Sequence, residues 1–133
     1  MKKNPLLHPE ISKIIASLGD GERLVIASAN LPISSDMKRI DLALTLDVPT
    51  VVQTLAVVRS ELNVEEAIIA EELEQVDKPF LQSLKDQLGE VPTTQILYVA
   101  LKQQSKLAKA VIRTGDKNEF GTVILTAGGF NTK

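Results

Sequence analysis

The chain has 133 residues, of which 44% are hydrophobic and 24% charged, and its formal net charge is -2. This length and hydrophobic content predict one compact domain, 1–133, and the near-neutral charge gives no reason to expect nucleic acid or an anionic membrane as a partner. The sequence contains no cysteine and a single histidine, His8, which excludes disulfides, thiolate catalysis and a metal site built from several histidines.

The first half of the chain predicts alternating helices and strands. Apolar residues recur at helical spacing after Pro9, which suits the first position of a helix, and Gly19 supplies a stop. His8, just before this helix, is expected to be an N-terminal cap or an exposed side chain. The elements predicted up to residue 62 are a helix over 9–18, strands over 24–27 and 39–44, and a helix over 49–62.

The second half continues this alternation. Asp77 is a typical helix cap, Pro79 lies in the first turn after it, and Gly89 ends the same apolar pattern. We interpret the acidic run between 65 and 74 as the solvated end of a strand or helix rather than a metal site. The elements predicted here are a strand over 67–70, a helix over 77–88, a strand over 95–99, a short helix over 101–109, and strands over 110–114 and 121–126.

The predicted elements favour a layered fold. Helices alternate with strands, and several strands are apolar on both faces, which is typical of a sheet covered by helices on both sides. We therefore expect a three-layer α/β/α domain with a mostly parallel or mixed sheet. Ligand sites in such folds gather where loops leave the carboxyl ends of strands. On this ground the loops 19–22, 28–32 and 115–122 are candidate functional segments.

We do not expect the start of the chain to be a signal peptide. Two lysines are followed by only two leucines before polar residues resume, which is too short for the apolar region of a signal peptide. The apolar runs elsewhere are far shorter than a membrane span. We therefore expect a cytoplasmic protein with no membrane partner.

Five segments of the chain resemble the D-ribose pyranase family, in order and over nearly the whole length. The most specific read Ile-Asp-Leu-Ala-Leu and Ala-Val-Ile-Arg-Thr-Gly, and each would be weak evidence alone. The resemblance implies an isomerase that interconverts the pyranose and furanose forms of ribose without metal or cofactor. It also implies a homo-oligomer, a pentameric ring or a decamer of two rings, which binds the monosaccharide between adjacent subunits. The segments are 15–19, 31–32, 39–44, 64–72 and 110–116.

The catalytic positions of that family are altered in this chain. The family's acid–base histidine follows the glycine that ends the first helix, and here that residue is Asp20. The aspartate that supports the histidine is replaced by Ser28. Opening a sugar ring needs a base for the anomeric hydroxyl and an acid for the ring oxygen. By resemblance Asp20 is the candidate catalytic residue, and we expect the loops after Leu18 and Ala27 to converge on one sugar-sized hollow.

Four further positions correspond to sugar-binding positions of the family, and three of them differ. Tyr98 stands where the family has a histidine, Phe120 replaces a tyrosine, and Thr122 replaces an asparagine, whereas Lys102 matches. Each lost hydrogen bond to the sugar weakens binding by about 0.5–1.5 kcal/mol. By resemblance these four residues, together with Ser28, are the candidate substrate-binding set.

The departures leave two interpretations open. In one, the site is rebuilt, and Asp20 is a lone base or accepts hydrogen bonds from sugar hydroxyls. In the other, Asp20 and Ser28 are solvated loop residues, Tyr98 and Phe120 only pack, and Lys102 is a solvated helix lysine. The functional hypotheses are accordingly a pyranase with altered or lost activity, or a non-catalytic sugar-binding or structural homologue in a sugar uptake or catabolic system.

Overall fold

The computed structural model describes residues 1–129, which form five helices and six strands. The helices are α1 (Pro9–Ser17), α2 (Val51–Arg59), α3 (Leu73–Val76), α4 (Lys78–Leu88) and α5 (Tyr98–Ser105). The strands are β1 (Arg23–Ala27), β2 (Arg39–Asp41), β3 (Val64–Ala70), β4 (Thr93–Ile96), β5 (Ala110–Arg113) and β6 (Val123–Ala127).

All six strands belong to one sheet, in the order β2-β5-β1-β6-β3-β4. The pairs β2–β5, β1–β5 and β3–β4 are parallel, whereas β6 runs antiparallel to both of its neighbours, β1 and β3. The sheet is therefore mixed, and the predicted α/β fold is confirmed. The antiparallel β6 matters for function because its start lies beside the end of β1.

The core lies on both faces of this sheet. Successive residues of a strand point to opposite faces, so Leu24 and Ile26 of β1 belong to one buried cluster and Val25 and Ala27 to the other. The first cluster includes buried side chains from α1, α2, α3 and α4, and the second includes Leu101 of α5. The helices thus cover both faces. None of the helices within residues 1–129 has the length and apolar character needed to cross a membrane.

Three helices are capped at their amino ends by the side chain of the residue just before them. His8 accepts a hydrogen bond from the backbone N–H of Ile11 through Nδ1 at 3.3 Å, which confirms its prediction as a cap. Asp77 likewise caps α4, and Gly89 follows its last residue as predicted. Thr50 forms a reciprocal capping box with Gln53 at the start of α2.

Several predicted boundaries are wrong, among them that of the strand predicted over 95–99, which lies at Thr93–Ile96, and hydrogen bonds explain the two that follow. The strand predicted over 39–44 stops at Asp41, because Asp41 Oδ1 accepts from the backbone N–H of Ala43 at 3.0 Å and turns the chain. The helix predicted over 101–109 begins earlier, at Tyr98. The Glu72 carboxylate caps it there, accepting from Tyr98 N at 2.9 and 3.1 Å.

Candidate functional site

Two loops meet at the carboxyl end of β1. The backbone N–H of Ser28 donates to Thr122 Oγ1 at 3.1 Å, and the N–H of Ala29 donates to the carbonyl of Asp116 at 2.9 Å. This pairing follows from the topology, since β6 runs antiparallel to β1 and starts where β1 ends. The loops 28–32 and 115–122, both candidate functional segments, are therefore brought together.

A group of six side chains, which we call the site cluster, occupies this junction. The rings of Tyr98 and Phe120 pack edge to face, with centroids 5.3 Å apart and an interplanar angle of 84°. Lys102 Nζ lies 5.2 Å from the centre of the Tyr98 ring, a cation–π contact. All five residues predicted to bind substrate therefore lie in one place. The site cluster consists of Ser28, Asn30, Tyr98, Lys102, Phe120 and Thr122.

Hydroxyl groups form the buried side of the site cluster. Ser28 and Thr122 each have 0% of their surface exposed, and their hydroxyl oxygens lie 3.2 Å apart. Ser28 Oγ also donates to Asn30 Oδ1 at 2.8 Å. The two buried hydroxyls are therefore satisfied within the protein, as buried polar groups usually are.

The surroundings of Tyr98 raise the pKa of its phenol. Burial raises the pKa of the Tyr98 phenol, the negative charge of Glu119 raises it further, and a hydrogen bond with the Asn30 side chain lowers it in part. Tyr98 is therefore a neutral phenol at physiological pH and can donate as well as accept a hydrogen bond.

Asp20 lies at the opposite end of β1, which corrects the expectation that its loop converges with that of Ser28. The Gly21 N–H donates to the carbonyl of Ala127, the last residue of β6, at 2.9 Å, whereas Thr122 at the start of β6 contacts Ser28. At about 3.3 Å per residue, β1 alone separates the two ends by roughly 13 Å. Asp20 precedes β1, so its loop leaves the amino end of that strand and not the carboxyl end.

Each end of the sheet has its own open cavity. One of about 520 Å³ is lined by Asp20, Leu18, Asn63 and other residues. The other, about 530 Å³, reaches Asn118 and Glu119 on the loop that carries Phe120. Both volumes are sufficient for a monosaccharide. Within one chain, a hollow therefore adjoins Asp20, whereas the other hollow is lined by residues next to Phe120 in the chain but by no member of the site cluster.

Three residues with roles at the site were not singled out from the sequence. Asn30 and Glu119 lie in the loops already suspected, but nothing in the local pattern distinguishes them from solvated loop residues. Glu72 belongs to the acidic run interpreted as solvated, yet it caps α5 and so fixes the backbone of Tyr98. Among residues 1–129, no three acidic or histidine side chains are grouped as a metal ion would require.

This chain is similar in sequence to one protein family over nearly its whole length. The model of the RbsD / FucU transport protein family matches residues 1–130. The D-ribose pyranase of Clostridium novyi is 41% identical over 128 residues, which cover 96% of this chain and 98% of that protein. The D-ribose pyranase of Pseudomonas syringae is 43% identical over 133 residues, with the same coverage of 96% and 98%.

Solved structures of other proteins have the same fold as this chain. The structure of Bacillus subtilis RbsD complexed with D-ribose superposes with a TM-score of 0.92 at 34% identity, covering 98% of this chain and 100% of that one. The fucose mutarotase of Streptococcus pneumoniae, in complex with L-fucose, gives a TM-score of 0.84 at 19% identity, covering 98% and 100%. The latter likeness shows the fold alone.

Proposed function

This chain belongs to the RbsD/FucU family, and on that premise we propose that it interconverts the pyranose and furanose forms of a monosaccharide, D-ribose by its likeness to the pyranases. The observation that supports this proposal is the meeting of all five predicted substrate-binding residues in the site cluster. Residues from three separate parts of the chain are brought there, by β1, α5 and the segment before β6.

The active assembly in this proposal contains at least two copies of the chain. Asp20 and the site cluster lie at opposite ends of β1, so one chain cannot bring both to the same sugar. Asp20 of one copy would instead face the site cluster of the next, as in the ring-shaped pentamer or decamer that the resemblance implies. Leu44 and Leu46, which are 80% and 64% exposed, line one hollow together with Ala29, the residue after Ser28, and offer an apolar surface for such a neighbour.

The proposed chemistry uses one carboxylate. The Asp20 carboxylate accepts the proton of the anomeric hydroxyl while the bond from the anomeric carbon to the ring oxygen breaks. The carboxyl group, now protonated, returns that proton to the ring oxygen, which gives the open-chain aldehyde. The reverse sequence with a different hydroxyl closes the other ring. No metal or cofactor takes part in this scheme, and we place the activity in the cytoplasm.

A non-catalytic sugar-binding role is the second candidate. It is favoured by the burial of Ser28 and Thr122, whose hydroxyls bond to each other, and by the replacement of the family's histidine by Asp20. In this case the site cluster would bind a monosaccharide without accelerating the exchange between its ring forms.

Saturation-transfer NMR on a ribose solution tests the proposal, since it measures pyranose–furanose exchange directly. We expect exchange to be faster with the protein than without it. Asp20→Ala should abolish the gain, whereas Asp86→Ala, which removes an exposed aspartate on α4, should leave it unchanged. Binding of ribose in calorimetry without faster exchange would favour the second candidate. Neither binding nor exchange with any pentose or hexose would overturn both.

A further inference from the structure

Asn30 lies on the solvent side of the site cluster, and the proposed scheme does not use it. The Asn30 residue is exposed, whereas the hydroxyls of Ser28 and Thr122 are fully buried. Ser28 Oγ lies 2.8 Å from Asn30 Oδ1 and 3.2 Å from Thr122 Oγ1. The three side chains therefore form a row that leads from the start of β6 to the surface.

The direction of each hydrogen bond in this row follows from its protons. Asn30 Oδ1 can only accept, so Ser28 donates its single hydroxyl proton to it. The contact between the two hydroxyls must then use the proton of Thr122, whose oxygen also accepts from the Ser28 backbone N–H at 3.1 Å. Neither buried hydroxyl has a proton left to donate to a ligand.

The same row fixes the orientation of the Asn30 amide. Because Oδ1 is held inward by Ser28, Nδ2 is directed away from the buried hydroxyls; one of its protons serves the hydrogen bond with the Tyr98 phenol, and the other is left for a ligand. Lys102 Nζ lies over the ring of Tyr98, whose phenol interacts with the Asn30 side chain, so the site cluster holds a second donor on the same tyrosine. The exposed part of the site cluster is therefore rich in hydrogen-bond donors, which suit the hydroxyl and ring oxygens of a neutral sugar.

We infer that Asn30 contacts the sugar directly, donating from Nδ2 to a sugar oxygen, and that Ser28 and Thr122 are positioning residues that act through it. This inference rests on the proposed function and names the group by which that site recognises its substrate. The substrate class it implies is a neutral monosaccharide with an acceptor oxygen at the position that faces Asn30.

Two variants of Asn30 test the direct contact by calorimetric titration with D-ribose. Asn30→Ala removes the whole amide, whereas Asn30→Asp keeps an oxygen for Ser28 but has no amide protons. We expect both to weaken sugar binding about three- to tenfold, the effect of one ordinary hydrogen bond. The thermal unfolding midpoint should be unchanged in Asn30→Asp, which keeps the acceptor for the buried Ser28 hydroxyl. Asn4→Ala, at an exposed position near the start of the chain, is the matched control and should bind as the wild type does.

A double-mutant cycle tests the positioning role of Ser28. If Ser28 acts through Asn30, Ser28→Ala should weaken binding in the wild-type background but add nothing to Asn30→Ala. Fully additive effects would overturn this part of the inference. Wild-type binding retained in Asn30→Ala would overturn the direct contact while leaving the proposed function intact. A wild-type protein that neither binds a pentose or hexose nor speeds ring exchange would instead overturn the proposed function, and the inference with it.

Discussion

Tyr98 is the only tyrosine of the chain, so its ionisation can be followed without interference. Burial raises the pKa of Tyr98 above the ordinary value of about 10, with a further rise from Glu119 and a partial opposing effect from Asn30. A raised pKa means that the folded protein holds the phenolic proton more tightly than the unfolded chain does. The stability it contributes is therefore complete below pH 10 and is lost as pH rises through the raised pKa.

We predict that two substitutions move the Tyr98 pKa in opposite directions. Glu119→Gln removes a negative charge and should lower it, whereas Asn30→Ala removes a hydrogen bond that favours the phenolate and should raise it. The near-ultraviolet absorbance of tyrosinate, followed against pH, measures both shifts. Equal pKa values in the wild type and in both variants would show that neither side chain interacts with the phenol.

At the residue scale, the sequence identified five of the six members of the site cluster, all but Asn30, but not the separate role of each. Tyr98, Phe120 and Thr122 could be located because family positions are separated by fixed spacings. That Ser28 and Thr122 are buried depends on the pairing of β1 with β6, which no local pattern reveals. The role of Asn30 in the site cluster follows only from its hydrogen bond with Ser28, so it could not be predicted from the sequence.

Asn118 connects the loop 115–122, which we call the site loop, to the amino end of α4. Its Nδ2 donates to Asp77 Oδ2 at 3.1 Å, and its Oδ1 accepts from the backbone N–H of Phe120 at 3.1 Å. Asp77 also caps α4 through the N–H of Phe80 at 3.0 Å. One amide thus couples the cap of a helix to the segment that presents Phe120 to the site cluster.

We predict that Asn118→Asp destabilises the protein by about 1–3 kcal/mol at pH 7, because a new carboxylate would face Asp77 in place of a donor. As pH falls, one of the two carboxyl groups takes up a proton and a hydrogen bond can form again. The deficit should therefore shrink below about pH 5. Denaturant unfolding at several pH values measures this trend.

Asn4→Asp is the control for this prediction, since it makes the same change of charge at an exposed position. It should show no comparable loss of stability at pH 7. An Asn118→Asp variant as stable as the control would show that the contact with Asp77 does not hold the site loop.

At the scale of elements, local signals predicted most helices and strands but not the boundary between β4 and α5. Pro9, Asp77 and Gly89 carry their own conformational preferences, so the helices they bound were predicted. The start of α5 depends on Glu72, which lies 26 positions earlier in the chain. The four-residue α3 was missed because so short a segment has no helical period to detect.

At the scale of the whole molecule, the sheet sets the distance between the catalytic candidate and the site cluster. The segment 19–22 is predicted among loops at the carboxyl ends of strands, but it joins a helix to the strand that follows it and therefore adjoins the amino end of β1. The resulting separation is a property of the mixed sheet and of the antiparallel β6. The proposed site, completed by a neighbouring copy, would account for the distance between Asp20 and the site cluster. It would also agree with the resemblance to a family that binds its sugar between subunits.

We predict that two inactive variants restore activity when they share one assembly. Asp20→Ala lacks the carboxylate, and Asn30→Trp blocks the open side of the site cluster with a bulky side chain. In a ring with head-to-tail interfaces, each site takes Asp20 from one copy and the site cluster from the next. Random mixing in equal amounts therefore leaves about a quarter of the sites intact, and ring exchange should recover to about that fraction of the wild-type rate.

The recovery must come from shared sites and not from either variant alone. Each variant should therefore remain inactive when it is taken through the same unfolding and reassembly by itself. Native mass spectrometry should show oligomers that contain both variants, which also measures the number of copies. If folded variants form mixed oligomers but ring exchange does not recover, Asp20 does not act on the site cluster of a neighbour. Every mixed ring contains at least one place where an intact Asp20 faces the intact site cluster of the next copy, so it should be active.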